Sequence, residues 1–295
     1  MKPSWPEPRR RSPHAHARRR AIASTGLGLL LSALLGLSAC GEPSAQAANS
    51  RRLVVTGSST LGPLVAELAK RFEQRNPDVR IDVQTGGSSR GIADVRQGLA
   101  DVGMVSRGLG SDEADLSGHT IALDGVAILA HASNPLDELS EAQVFDVFTG
   151  RVRNWSEIGG ADAEITVVHK AEGRSTREVF LHHFGIDTRQ AEASIVIGDN
   201  EHGVKSIAGN PHAIGYVSIG AAEVSVSRGT PIKLLALGGV PAASETVASG
   251  RFPLARELNL VTNAEPSTLA TEFIGFTRSP EVRGLFQEYA FVPVD

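Results

Sequence analysis

A single cysteine, Cys40, stands in 295 residues. One thiol cannot close an internal disulfide, and in an exported chain it needs another explanation. No G-x-x-x-x-G-K-[ST] loop is present, so there is no phosphate cradle of the nucleotide-hydrolase kind. No G-x-S-x-G elbow is present either, and the commonest serine-hydrolase signature is missing with it. No repeat of fixed period appears, which sets aside a solenoid. Of the nine histidines, two fall in the first twenty residues and the others lack ligand spacing. His182 and His183 are adjacent, and neighbours on a helix point about 100° apart, unlike the paired histidines of zinc helices; no metal is expected. Trp155 and Phe148 read as packing residues. Basic charge is scarce beyond the N-terminus. Residues 1–39 hold Lys2 and six arginines against Glu7, so the remainder carries 29 − 7 = 22 basic and 33 − 1 = 32 acidic residues, net −10. That balance excludes an obvious nucleic-acid binder. If the partner is a small anion, its attraction must be local.

The one long apolar run, "AIASTGLGLLLSALLGLSAC", follows Arg9, Arg10, Arg11, Arg18, Arg19 and Arg20. A basic start, an apolar middle and a small-residue end read as an export signal, although the run is about long enough to span a bilayer. Leu37-Ser38-Ala39-Cys40 resembles a bacterial lipobox, which implies an acylated Cys40 at the mature N-terminus. A plain signal peptide and a membrane anchor are the alternatives. Twin-arginine export is a minor option, poorly matched by the residues after Arg20. Residues 1–39 are thus expected to be a lipoprotein signal peptide, and 40–51 a flexible, small and polar tether.

From Arg52 strands and helices alternate. "RLVVTG" reads as a strand, and "LGPLVAELAKRFEQRN" as an amphipathic helix with Leu64, Leu68 and Phe72 at helical spacing. "VRIDVQTGG", "SRGIADVRQGLA" and "DVGMVSR" continue as strand, helix and strand. This alternation predicts an α/β fold with a mostly parallel sheet. An apolar run over "HTIALDGVAILAHASNP" leads to a second set, with a helix carrying Val144, Val147 and Phe148, then the strand–loop–helix "ITVVHKAEGRSTREVFLHHFG". Two lobes are expected: 52–125 plus 240–295, and 126–239. The cleft between them is a natural place for a small ligand.

Three loops, "GSST", "GGSSRG" and "VSRG", lie at the carboxyl ends of strands, where ligands of such sheets bind. Hydroxyls before a helix have a common use, because Ser and Thr cap free N–H groups of the first turn. They also suit an anion, which the converging N–H groups and the dipole attract. One such loop decides nothing. Three at one sheet edge favour the anion.

The series "TGSSTLGPL", "GGSSRGI", "ADVGMVSR", "LDGVAILAHASNP", "VFTGRVRNWSEIGG", "GAIGYVS" and "GRFPLAREL" resembles the bacterial phosphate-binding proteins, solute receptors of phosphate ABC transporters with the type II periplasmic-binding fold. The likeness spans about residues 52–295. It implies a two-lobed receptor that is not an enzyme, needs no cofactor and binds dehydrated phosphate between its lobes. Its partners would be an ABC permease and ATPase, with a lipid-held, monomeric protein at the periplasmic face. Carried over by position, the ligands would be Ser59, Thr60 and the Leu61 N–H; Ser88 and Ser89; Ser106 and Arg107; and Lys170, Arg174, Ser175 and Thr176. Three positions depart from the family pattern. Lys170 stands for an arginine and gives up its planar fork. Arg174 stands for a serine, and Ser175 for a glycine. Ser106 replaces the aspartate with which some members accept a phosphate proton, which opens the choice between phosphate and sulfate. Asp124, in "LDG", reads as a hinge or structural residue, since a carboxylate repels an anion. Alternatives are a receptor for sulfate, arsenate or molybdate, and a phosphatase using the same cradle; no nucleophile–base pair supports the latter.

Overall fold

The computed structural model describes residues 51–294, all within one compact unit, Ala45–Asp295. The signal segment and Cys40 lie outside the described residues. No helix among those described is long and apolar enough to cross a membrane.

Strand β1 (Arg51–Gly57) leads to helix α1 (Gly62–Arg75). Leu64, Leu68 and Phe72 fall on the buried face of α1, joined by Val65 and Ala69. Burying a side chain of this size contributes roughly 1.5–3 kcal/mol, and Pro63 is tolerated because the first turn needs no intrahelical N–H. Strand β2 (Val79–Thr85), helix α2 (Ser88–Arg96) and strand β3 (Val102–Val105) complete the first βαβαβ set. Gly57, at φ 129°, lies so close to Met104 and Gly91 that a Cβ would meet the Met104 carbonyl oxygen at 2.3 Å. Small residues here let α2 sit directly on the strand ends.

Strand β4 (Ser117–His131) is long and serves both halves. After it come β5 (Glu138–Leu139), α3 (Glu141–Phe148), β6 (Thr166–Lys170), α4 (Ser175–Phe184), β7 (Ile195–Ile197), α5 (Asn200–Ala208), β8 (Ala213–Ser218), α6 (Ile219–Ser227), β9 (Ile232–Leu237) and α7 (Ser244–Ala248). The chain closes with β10 (Ala255–Thr262), α8 (Thr268–Thr277), α9 (Arg283–Glu288) and β11 (Val292–Pro293). The main strand order is β2-β1-β3-β10-β4-β8-β6-β7.

The sheet is more mixed than the alternation of elements suggests. β1–β2, β1–β3, β6–β7 and β6–β8 are parallel, as crossover helices require. β10 runs antiparallel to both β3 and β4, and β4 antiparallel to β8 and β9. The cause is β4 itself. Its first half, up to Gly125, pairs with the returning β10; its second half, from Val126, pairs with β8 and β9. One strand thus joins two hydrophobic cores, the first around Leu53, Leu68, Met104 and Phe273, the second around Phe148, Trp155, Phe180 and Tyr216. Ala242, Val247, Phe252 and Leu254 pack in the second core. The stretch 240–254, expected in the first lobe, therefore belongs by packing with the second. Phe148 and Trp155 are buried packing residues, as read from the sequence, and the Trp155 indole N–H donates to the His212 carbonyl at 3.0 Å.

Candidate functional site

The carboxyl ends of β1, β2, β3 and β6 deliver their loops to one cavity. Its lining is Ser58, Ser59, Thr60, Gly87, Ser88, Ser106, Lys170, Arg174, Ser175 and Thr176, around about 200 Å³ of empty space that includes solvent at its mouth. So narrow a space suits a small ion and not an organic ligand. A larger depression, about 550 Å³, lies among Ile121, Thr277, Arg278 and Phe286 and shares no residue with the cradle; none of the strand-end serine loops reaches it. The cradle holds the chemistry.

Three helices start at this cavity, α1 and α2 from one half and α4 from the other. The residues at their N-cap positions are Leu61, Gly87 and Arg174, and none makes a side-chain capping bond. Leucine and glycine have no acceptor to offer, and a guanidinium only donates. The first-turn N–H groups of a helix need a partner from outside, and an anion is the partner that the dipole favours. Gly87 also brings the halves together. At φ 104°, its absent Cβ would fall 2.4 Å from the Gly173 carbonyl oxygen, and the Ser89 N–H reaches that same oxygen at 3.4 Å.

Of the expected ligands, Ser59, Thr60, Ser88, Ser106, Lys170, Arg174, Ser175 and Thr176 are brought together in the lining. Three are not. The Leu61 N–H points to Ser58 Oγ at 3.4 Å, because Ser58 folds back to take the N–H groups of Thr60 and Leu61. Ser89 Oγ donates to Glu178 Oε1 at 2.9 Å. Arg107 donates from Nε to Glu178 at 2.7 Å and grips both oxygens of Glu113 at 2.7 and 2.8 Å. These two carboxylates hold the guanidinium charge more firmly than in water, against the cost of burial. Ser89 and Arg107 thus tie the first half to α4 through Glu178 rather than facing the cavity.

Lys170 ends β6 and is almost wholly buried. Its Nζ donates to Asn200 Oδ1 at 2.8 Å. Burial, first, and the nearby charges of Arg256 and Arg174 push its pKa down to about 7, with Asp199 pulling the other way. The carboxylates that could have claimed Arg174 go elsewhere: Glu172 pairs with Arg177 at 3.5 Å, and Glu178 with Arg107. Arg174 remains in the cavity wall.

Sequence reasoning missed the layer behind the hydroxyls. Arg256 of β10 donates to Thr176 Oγ1 at 2.9 Å, to Thr60 Oγ1 at 3.4 Å and to the Ser106 carbonyl at 3.4 Å. Its charge is balanced by Asp124, 2.7 Å away, in a pair that is almost completely buried. Asp124 also accepts from Ser218 Oγ and the Gly220 N–H, so it is structural and not a ligand. Asn200 Nδ2 donates to Thr60 Oγ1 at 3.2 Å. The signal for Arg256 was present in "GRFPLAREL", yet nothing local says that this arginine lies under loops about 80, 150 and 196 residues away. Ser58 was likewise passed over for Ser59; its Oγ bonds Ser106 Oγ.

Residues 42–281 match the PBP superfamily domain. The phosphate-binding protein PstS of Bacillus subtilis is 30% identical over 262 residues, covering 87% of this chain and 84% of that one. A structure from Clostridium perfringens, a phosphate ABC transporter substrate-binding protein by its description and solved with bound phosphate, superposes with a TM-score of 0.77 at 30% identity, over 83% of this chain and all of the other. An ABC-type phosphate transport receptor from Vibrio cholerae gives a TM-score of 0.69 at 27% identity, over 82% of this chain and all of the other.

Proposed function

The chain belongs to the PBP superfamily and, within it, to the phosphate-binding receptors with the two-lobed type II periplasmic-binding fold, and from that premise we propose that it captures inorganic phosphate outside the cytoplasm for uptake through an ABC permease and its ATPase. Its relatives are binding proteins of transport systems, not enzymes. One observation carries the reading: three helix starts, from both halves of the molecule, face a cavity that also holds Lys170 and Arg174 and has no carboxylate in its lining. Phosphate brings two charges and four acceptor oxygens to donors already in place, so little reorganisation opposes binding. Charge is supplied locally although the chain is acidic in sum.

The missing carboxylate keeps a second ligand in view, since an aspartate that accepts a phosphate proton would reject sulfate. Titration calorimetry with phosphate, sulfate, arsenate and molybdate tests the reading. Phosphate is expected to bind most tightly; no heat with phosphate, or tighter binding of another oxyanion, would replace it. We extend the proposal to the N-terminus. Export by residues 1–39 and acylation of Cys40 would hold the receptor at the membrane, with several acyl chains giving a stable anchor. Cys40→Ser should move the protein to the soluble fraction; retention with an uncleaved N-terminus would mean an anchor helix instead.

A further inference from the structure

The hydroxyls of the cradle differ in what they have left to offer. Thr60 Oγ1 accepts from both Arg256 and Asn200. Thr176 Oγ1 accepts from Arg256, and Ser88 Oγ from the Ser106 N–H at 3.2 Å. Ser58 Oγ takes two N–H groups, so its own hydrogen goes to Ser106 Oγ, which therefore also accepts. A hydroxyl has one hydrogen and two lone pairs. With acceptor sites engaged from behind, Thr60, Thr176, Ser88 and Ser106 are each left with a hydrogen to give. Ser59 is partly exposed and has water within reach.

Ser175 is the exception. It lines the cavity at the first position of α4, is 2% exposed, and its buried Oγ has no partner. A buried, unsatisfied hydroxyl is costly unless something completes it. No carboxylate in the lining can accept a proton. Lys170 Nζ is turned to Asn200, with Arg256 and Arg174 as the cations around it and Asp199 as the anion.

Resting on the phosphate reading above, we propose that Ser175 is the specificity-determining residue of the cradle: its Oγ accepts the P–O–H hydrogen of monohydrogen phosphate, while the neighbouring groups donate to the other oxygens. Sulfate has no such hydrogen. It would meet the same donors but leave both Ser175 lone pairs unused. Selection is therefore made by a neutral hydroxyl at a helix start, with no carboxylate to repel the dianion.

The test is calorimetry of the full chain with phosphate and with sulfate at pH 8, comparing the unsubstituted protein with Ser175→Ala and Ser175→Gly; Ser88→Ala serves as a donor-only control. Thermal melts of the unliganded variants confirm that they fold. Both Ser175 variants should bind phosphate about tenfold or more weakly, with sulfate changed by less than about twofold, so the phosphate-to-sulfate ratio collapses. Ser88→Ala should weaken both anions alike. If the Ser175 variants weaken both anions equally, Ser175 is one more donor and the inference fails. If a folded Ser175 variant binds both anions as the unsubstituted protein does, Ser175 contacts neither and the inference also fails. An unsubstituted protein that binds phosphate and sulfate equally overturns it without touching the phosphate reading. No phosphate binding at all removes that reading, and this inference with it.

Discussion

The helix starts around the cavity differ from those of α3, α5, α6 and α8 in the same chain. Helices α3, α5, α6 and α8 begin at Ser140, Asp199, Ser218 and Ser267, and each of these side chains accepts an N–H from the first turn. Ser140 forms a full capping box with Gln143. Helices α1, α2 and α4 begin at Leu61, Gly87 and Arg174, whose own side chains cap nothing, although Ser58 Oγ takes the Thr60 and Leu61 N–H groups just before α1. Helices α7 and α9 also start without a capping side chain, at Ala243 and Val282, so an open start alone does not mark a site; what sets the cavity apart is that three helices begin at one place. Of the hydroxyls near those starts, Thr60 and Thr176 accept from Arg256 and Ser88 from the Ser106 N–H, which leaves each a hydrogen to give, whereas Ser89 donates to Glu178. Hydroxyls beside a helix start thus perform opposite tasks in the two groups, and residue type alone does not separate them.

The contrast is best broken by substitution, beginning where the effect should be largest. Arg174→Ala removes a half-buried cation from one side of a charge pair with the bound anion. It should weaken phosphate by about 2–5 kcal/mol, mainly through faster dissociation, as read by stopped-flow or surface plasmon resonance. Binding within about threefold of the unsubstituted protein, under 1 kcal/mol, would place Arg174 outside the contact set.

Next come the hydroxyls, taken as matched pairs. Ser88→Ala and Thr60→Ala should each weaken phosphate roughly 10- to 100-fold, the scale of about 1.5–3 kcal/mol for bonds to a charged group, besides the stability lost with the bonds that these hydroxyls accept in the free protein. Ser140→Ala and Ser267→Ala should cost about 1 kcal/mol of stability with the cap and leave phosphate affinity intact. Calorimetry and denaturant melts on the four variants suffice. If both pairs respond alike, the distinction between closed and open helix starts is wrong.

A smaller effect should follow from Lys170. Its pKa, about 7 in the free protein, is depressed, so between pH 7 and its unfolded value near 10.5 the unfolded chain holds a proton that the folded chain lacks. Stability of the free protein should therefore rise with pH across that window. A bound dianion favours the charged amine. Binding at pH 8.5 should take up close to one proton, visible as a dependence of the calorimetric heat on the ionisation enthalpy of the buffer, and affinity should fall by at most about tenfold per pH unit above 7. In Lys170→Met the proton uptake should vanish. Equal heats in all buffers with the unsubstituted protein would show that Lys170 stays charged.

The sequence by itself determined the strand–helix alternation, the buried face of α1 at Leu64, Leu68 and Phe72, and the gathering of serine-rich loops at strand ends, because periodicity and turn chemistry are local properties. Of the eleven ligands that the family resemblance implied, eight meet at the cavity. The tertiary structure decided what spacing cannot encode. It set the antiparallel course of β10, which carries Arg256 beneath the hydroxyls, and the passage of 240–254 into the second core. It turned Ser89 and Arg107 away to Glu178, since a guanidinium near two carboxylates pairs with them whatever its loop resembles. It also left Ser175 Oγ without a partner. The direction of a hydroxyl's hydrogen depends on which donors reach it from distant segments, and those segments meet only when the chain has folded.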